Sequence, residues 1–484
     1  EVSVGGATTL KTDVAWVGPG YSFQLNGVKT AYDIITTAEQ FRPNIISLDG
    51  WAGSQRFNSV WSGDQTGGNW EYIRFHIPTY IGSSLSGNPN IGSDMDGIFG
   101  GKALIAARDY QWKSFTPQML NMDGWGTYMK APYTFGDPYT GINRMYMKIK
   151  SQLMPYIYTT AVSASNMDTG NDDTGLPIVR AMFLEYPEDA YAYSRNMQYQ
   201  FLLGANILVA PVYKNTAADE EGNDVRNHIY LPDPDEVWID YLTGEKYLGG
   251  QVLNNFAAPL WKLPVFVKNG TILPMYEANN TPDAIDRTKR MIEFWPDGDS
   301  FYTTYEDDGK YIHNQTEEDE KYGTIDHVSY GSHVSTTYTS SVKEGKAILT
   351  AECSEGTYEG YEEKRSSTFI VHLSSRPEAV TAWNGEEKLH LTEAENLEIF
   401  EQSEPKKGEA IFFYDEHPMI RTYASEEEKI LRKMVEKVQA EPKLYVKLAT
   451  VDSQKEKQTV EILGFENTVC RMAEKENGAL SVPQ

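Results

Sequence analysis

Five aspartates recur at comparable places in the first quarter of the chain: Asp13, Asp49, Asp64, Asp94 and Asp123. Each closes a short run of β-forming character: Thr8 to Asp13, Asn44 to Asp49, Ser59 to Asp64, Asn90 to Asp94, and Phe115 to Asp123. Carboxylates grouped in this way suit nucleophilic and acid/base chemistry that needs neither a metal nor an organic cofactor. Cleavage of a glycosidic bond is such a reaction. One carboxylate attacks the anomeric carbon and one carboxylic acid protonates the leaving oxygen, about 5–5.5 Å apart in the retaining geometry. Asp13 and Asp64 are candidates for the pair, because alternate strand ends of a barrel can face each other across its mouth. On pattern alone Asp49 and Asp94 stay in contention. A strand-end Asp also serves as a helix N-cap, and Asp49 fits that role better than Asp64 does.

These aspartates need a frame that brings their strand ends to one place. Helical stretches, Thr30 to Phe41 and Trp70 to Tyr80, separate several of the strand candidates. Such alternation predicts a parallel α/β sheet or barrel. The acidic ends favour a barrel, where the C-terminal strand ends open onto one face. Five strands are fewer than the eight of a full barrel. Residues 1–205 are therefore predicted to be the C-terminal part, about strands 4–8, of a (β/α)8 TIM barrel. The opening Glu1-Val2-Ser3-Val4 reads as internal sequence.

After Asp189 the texture changes. Ala190 to Leu203 predicts a helix, and from Asn206 onward short β-runs and turns dominate. Residues 206–290 are predicted to form a proximal β-sandwich domain ending in a polar linker, Asn279 to Lys289. Residues 291–422 are predicted to form a distal β-sandwich domain. Residues 423–484 read as a helical connector and the start of a further module. There Ser425 and Glu428 have the spacing of a capping box, with Ile430, Leu431, Met434, Val435 and Val438 as the apolar face. Asp297, Asp299, Asp307 and Asp308 sit in Asp-Gly turn segments. No loop has a full calcium-ligand spacing, so these read as solvated turn carboxylates.

Composition narrows the partners. The formal net charge is −26 over 484 residues, and no segment carries a basic stripe. This excludes nucleic acid as an expected partner and disfavours an anionic membrane surface. No run of eighteen apolar residues spans a membrane. The two cysteines, Cys353 and Cys470, lie far apart and define neither a disulfide framework nor a metal motif. Oligomeric state cannot be read from the sequence. An extracellular or cell-surface bacterial enzyme is favoured over a cytoplasmic one.

Several segments resemble glycoside hydrolase family 31. Ala52-Gly53-Ser54-Gln55-Arg56, then Trp61-Ser62-Gly63-Asp64 and Trp70, is similar to its acid/base segment. Lys11-Thr12-Asp13 resembles the nucleophile strand of its α-xylosidases. Gly92 to Gly101, Leu153 to Tyr158, Gly175 to Arg180, Leu208 to Val212, Leu263 to Val267 and Tyr305 to Gly309 resemble later family segments, in the same order. The resemblance implies Asp13 as nucleophile and Asp64 as acid/base. It places Trp16, Leu48, Asp49, Trp61, Asp94, Asp96, Met122 and Asp123 among candidate substrate contacts. Trp16 stands where related chains have Glu, Leu48 where they have Arg, and Leu120 and Met122 follow Phe115 and Pro117 where they have Arg and His. Polar partners of hydroxyls have become apolar, and Thr12 to Gly18 with Gly20 to Phe23 resembles the branch acting on α-linked N-acetylgalactosamine. The expectation is a retaining exo-α-N-acetylgalactosaminidase acting on an α-glycoside or glycan. The alternatives are an α-glucosidase, α-xylosidase or α-galactosidase, and a non-catalytic carbohydrate-binding protein.

Overall fold

The structure is a computed structural model and describes residues 5–13, 20–39, 41–48, 50–124, 129–216, 218–310 and 332–468. Trp16, Asp49 and Cys470 lie outside the described residues.

Four short strands form a parallel sheet in sequence order: β1 (Thr9–Thr12), β2 (Asn44–Ser47), β3 (Ser59–Trp61) and β4 (Ile91–Gly92). The register sets Thr12 beside Ser47, Ser47 beside Val60 and Trp61 beside Gly92. The C-terminal ends of all four strands therefore reach the same edge. Beyond β4, a single parallel bridge joins Asp94 to Leu120. The fifth expected strand contracts to this bridge because its first residues close the preceding helix: the Phe115 and Thr116 amides donate to the Trp112 and Lys113 carbonyls.

The helices on this sheet are held by ordinary amphipathic packing. Helix α1 (Tyr21–Glu39) presents Val28, Ala31, Tyr32 and Ile35, spaced three and four apart, to Ile45 of β2. Helix α2 (Trp70–Leu85) begins at Asn69, whose side chain accepts the Tyr72 amide, and buries Tyr72, Ile73, His76, Ile77, Tyr80 and Ile81. Helix α3 (Ala103–Lys113) is different, with buried residues on every side that include Arg108, Asp109 and Lys113. One reason is a second layer. Arg108 reaches the Asp224 carboxylate at 2.7 Å and the carbonyls of Ala258 and Lys262, all on the β-rich side of the chain. Helices α4 (Tyr139–Gln152) and α5 (Met154–Ala164) follow, with Leu153 between them and Pro155 in the first turn of α5.

The predicted helix over 190–203 is absent. Two 3-10 turns, Ala190–Tyr193 and Arg195–Tyr199, lead into a strand, Phe201–Leu203, whose three residues are all buried. Burial on both strand faces removes the polar alternation that would have marked a strand. This strand pairs with Val179–Arg180 and Ile207–Val209 in a six-stranded sheet that also holds Val265–Lys268, Val237–Asp240 and Lys246–Leu248. The proximal module's sheet thus takes in strands on the barrel side of residue 205.

The distal module has one six-stranded and one seven-stranded sheet. Lys443–Asp452 lies inside the first, between Lys364–His372 and Glu409–Asp415. Gln458–Leu463 lies inside the second, between Lys346–Ala351 and Ala379–Asn384. These strands, from beyond residue 422, pair within the two sheets of the distal module. The connector helix is also shorter than expected, Lys429–Val435. Glu428 reaches back to the Ser425 amide at 2.6 Å, as a capping box requires, but Asp137 takes the Ile430 and Leu431 amides. The barrel side thereby caps a helix of the distal side. Asp307 is likewise structural: Arg42 meets its carboxylate at 2.7 Å and Tyr158 donates to its other oxygen.

Candidate active site

Asp13 directly follows β1, and its Oδ2 lies 3.2 Å from the Lys11 ammonium. The same ammonium stands 3.8 Å from the centre of the Trp61 ring, a cation–π contact against a fully buried indole. Trp61 ends β3, and its Nε1–H donates to Asp94 Oδ1 at 3.1 Å. A continuous chain of contacts, Asp13–Lys11–Trp61–Asp94, therefore crosses the edge of the sheet from β1 through β3 to the end of β4.

Asp94 is 1% exposed, and its Oδ2 has no hydrogen-bond partner among the described residues. Burial pushes its carboxyl up to about 6, against the pull of the Trp61 N–H and of Lys113, Lys130 and Lys11. Its backbone carbonyl accepts from Lys113 at 2.9 Å and from the Tyr72 hydroxyl. Lys113 is fully buried and pairs with Asp109 at 2.6 Å. Such a pair is tolerated because further hydrogen bonds surround it: Asp109 Oδ2 also accepts the Asp96 amide at 2.8 Å.

Asp96, a candidate substrate contact in the sequence, has a different place in the structure. It is fully buried. Its Oδ1 accepts the Gly68 amide at 2.6 Å, and its Oδ2 accepts the Gly101 and Lys102 amides at 2.7 and 3.0 Å. Burial raises its pKa while these amides pull it back. Asp96 ties the loop after Asp64 to the start of α3 through these amides. Gly100 is needed beside it, since a Cβ there would lie 1.7 Å from the Asp96 carbonyl oxygen.

Asp64 is exposed in the turn after β3. The turn is braced from below. The Ser62 hydroxyl meets His76 Nε2 at 2.8 Å, and His76 Nδ1 meets the Tyr72 carbonyl at 2.8 Å. The carbonyl can only accept, so Nδ1 carries the proton and Ser62 donates to Nε2. Burial, with Lys113 nearby, pushes His76 down to about 3 and keeps the ring neutral. Gly63 takes φ 91, and a Cβ on it would lie 2.9 Å from Leu48 Cδ2. Leu48 therefore lies against the turn that presents Asp64.

Asp123 is exposed, and its carboxylate accepts the Lys130 amide at 3.2 Å. The buried Lys130 ammonium donates to the Met95 carbonyl at 2.9 Å and to that of Gly97. Met122 is half-buried. Lys11, Lys113, Lys130 and the Ser62–His76 pair are supports that the sequence reading does not single out. Lys11 carried a signal, since residues two apart on a strand share a face. Lys113 carried a weaker one, four residues after Asp109. Among the described residues, no group of three or more His, Cys, Asp or Glu is placed to hold a metal ion, and no helix is long and apolar enough to cross a membrane.

Acidic strand ends gathered on one edge of a parallel β/α sheet, with β-modules packed behind its helices, suit a barrel architecture. Residues 21–160 match the TIM-barrel domain of glycosyl hydrolases family 31, and residues 175–273 match the C-terminal domain of that family. These two stretches of the chain are similar to two successive domains of glycosyl hydrolase family 31. Leu48, Asp64, Asp94 and Asp123 fall within the first match, and Asp13 precedes it. An α-glucosidase 2 of Bacillus thermoamyloliquefaciens is 30% identical over 271 residues, which is 56% of this chain and 32% of the relative. An α-xylosidase of Saccharolobus solfataricus is 30% identical over 309 residues, 60% of this chain and 39% of the relative. The chain thus spans between 32% and 39% of the length of these relatives. A family 31 dextranase of Flavobacterium johnsoniae complexed with glucose shares the fold, with TM-score 0.70 at 24% identity over 95% of this chain and 53% of that one. A family 31 α-xylosidase of Xanthomonas citri gives TM-score 0.58 at 25% identity, over 72% and 36% of the two chains.

Proposed function

We propose that the protein to which this chain belongs is a retaining exo-acting α-glycoside hydrolase. In this reading β1 to β4 and the Asp94–Leu120 bridge are strands four to eight of a (β/α)8 barrel, and the two β-modules are sandwiches. Asp13 attacks the anomeric carbon and forms a glycosyl ester as the aglycone leaves. Asp64 protonates the departing oxygen, then takes a proton from the water that hydrolyses the ester. The observation that carries the reading is the run of contacts from Asp13 through Lys11 and Trp61 to Asp94, on the edge where the Asp64 turn also emerges. Lys11 holds the Asp13 carboxylate at this edge, 3.2 Å from its ammonium.

We propose terminal α-linked N-acetylgalactosamine as the sugar. Leu48 against the Gly63–Asp64 turn gives that side of the site an apolar surface, which suits an acetamido methyl. Burying the methyl contributes on the order of 1 kcal/mol and an amide hydrogen bond roughly another 1 kcal/mol, about thirtyfold together. The second reading, α-glucosidase or α-xylosidase, is favoured by the activities named for the 30% identical relatives. A panel of nitrophenyl α-glycosides on the full-length protein separates them. The acetamido sugar should be cleaved most efficiently. Equal or better cleavage of the glucoside or xyloside removes the sugar assignment, and cleavage of none removes the glycosidase reading.

A further inference from the structure

Asp64 rides on a loop, Ser62 to Gly68, that leads from the end of β3 towards α2. One end of this loop is fixed by the sheet, where the Ser62 amide donates to the Gly92 carbonyl at 3.2 Å. The other end is fixed by a side chain: the Gly68 amide donates to Asp96 Oδ1 at 2.6 Å. Asp64 is exposed between these two points. The backbones also approach closely here. A Cβ on Gly67 would lie 1.5 Å from the Asp96 carbonyl oxygen, and one on Gly97 would lie 2.5 Å from that of Gln65.

Asp96 is suited to hold such a loop still. It is fully buried, and backbone amides take both its carboxylate oxygens, those of Gly101 and Lys102 sharing Oδ2. Its φ of 53 is a left-handed value that costs any residue but glycine some strain. Such strain persists only where the surroundings over-determine the backbone. Here α3 does so. Asp109 accepts the Asp96 amide at 2.8 Å, Lys113 donates to the Asp94 carbonyl at 2.9 Å, and Arg108 ties the same helix to Asp224 of the proximal module at 2.7 Å.

We propose that Asp96 is a positioning residue for Asp64, fixing the far end of its loop and so the point from which the acid reaches the departing oxygen. The inference rests on the acid/base role given to Asp64. A general acid must come within about 2.6–3.2 Å of the oxygen it protonates, and a misplacement of about 1 Å can cost about a hundredfold in rate. In this role Asp96 touches no reacting atom and acts through the Gly68 amide.

Kinetics of the full-length protein on the methyl and dinitrophenyl α-glycosides of the sugar that the nitrophenyl panel selects test it. Methanol leaves poorly and needs the proton, whereas dinitrophenolate hardly does. Asp96→Gly removes the carboxylate, and glycine accepts a φ of 53 without strain. In this variant kcat/KM should fall about a hundredfold on the methyl glycoside and stay within about threefold of wild type on the dinitrophenyl glycoside. Amide hydrogen exchange over residues 62–69 should quicken about tenfold or more. Loss of stability alone would lower both substrates alike. Equal losses on the two substrates, no loss on either, or unchanged exchange over residues 62–69 each overturns the positioning role and leaves Asp64 as acid/base. Asp64→Ala must show the same split between substrates; without it the acid/base reading falls, and the positioning role with it. Should Asp96→Gly fail to fold, Asp96→Asn, which keeps the side-chain shape but only one accepting oxygen, must show the split at about tenfold or more. Equal losses in that variant also overturn the proposal.

Discussion

Replacing Asp94 by Asn should change how stability responds to pH. In the folded protein Asp94 holds its proton up to about pH 6, against an ordinary value of 3.8. The folded state therefore binds the proton more tightly than the unfolded state. This contribution to stability is fully present below about pH 4 and is lost as pH rises through 6. A tenfold difference in proton affinity between the two states is worth about 1.36 kcal/mol, so the rise from 3.8 to about 6 amounts to about 3 kcal/mol. Little solvent screening applies to a side chain that is 1% exposed. Asn is neutral at every pH and its amide oxygen can still accept the Trp61 N–H, so the variant keeps the protonated-like state throughout. Urea unfolding of both proteins at pH 4.5, 6 and 7.5 reads the effect as a difference, in which the other carboxylates cancel. Relative to wild type, the variant should gain about 2 kcal/mol between pH 4.5 and 7.5, the remainder lying below pH 4.5. A difference that stays flat across this range would refute the reasoning, since it would mean that Asp94 titrates alike in both states.

Three further outcomes follow from the site and its supports. In the full-length enzyme Asp13→Ala should abolish turnover and be partly rescued by azide as the β-glycosyl azide, whereas Asp64→Ala should spare the first step on substrates with good leaving groups; product analysis and burst kinetics check both. Arg108→Met should cost about 3–5 kcal/mol in urea unfolding, because it strips the Asp224 carboxylate and two carbonyls of a buried partner. Gly63→Ala should cost roughly 1–3 kcal/mol through the positive φ and the contact with Leu48, and Leu48→Ala in the same chain should restore part of it; thermal melts of the single and double variants measure the coupling.

The strand ends that carry the candidate carboxylates were legible because short strands announce themselves at their ends. Asp13 and Asp94 follow compact β-runs, and Trp61-Ser62-Gly63-Asp64 combines a strand end with a turn that needs glycine. The supports were harder to read. A lysine such as Lys113 or Lys130 is expected at the surface, and nothing local tells that α3 will be buried on all sides. Asp96 resembled its neighbours in sequence, and only the amides of Gly68, Gly101 and Lys102 reveal it as a loop tie. In the β-modules, strand character was readable but partnership was not. Val179–Arg180 looked like barrel sequence, and Lys443–Asp452 looked like a new beginning, because pairing between distant segments leaves no local period.

That last strand carries a consequence for biosynthesis. The chain emerges from its N-terminal side, so Lys443–Asp452 and Gln458–Leu463 leave the ribosome after the strands they separate. Until they arrive, Lys364–His372 and Glu409–Asp415 face a vacant slot, as do Lys346–Ala351 and Ala379–Asn384 in the other sheet. Each vacant slot exposes two unpaired edges, which invite pairing with a neighbouring nascent chain. A polypeptide interrupted before residue 443 would keep both slots open for good and become a target for proteolysis or aggregation. The two sheets of the distal module thus close only after Lys443–Asp452 and Gln458–Leu463 have been made.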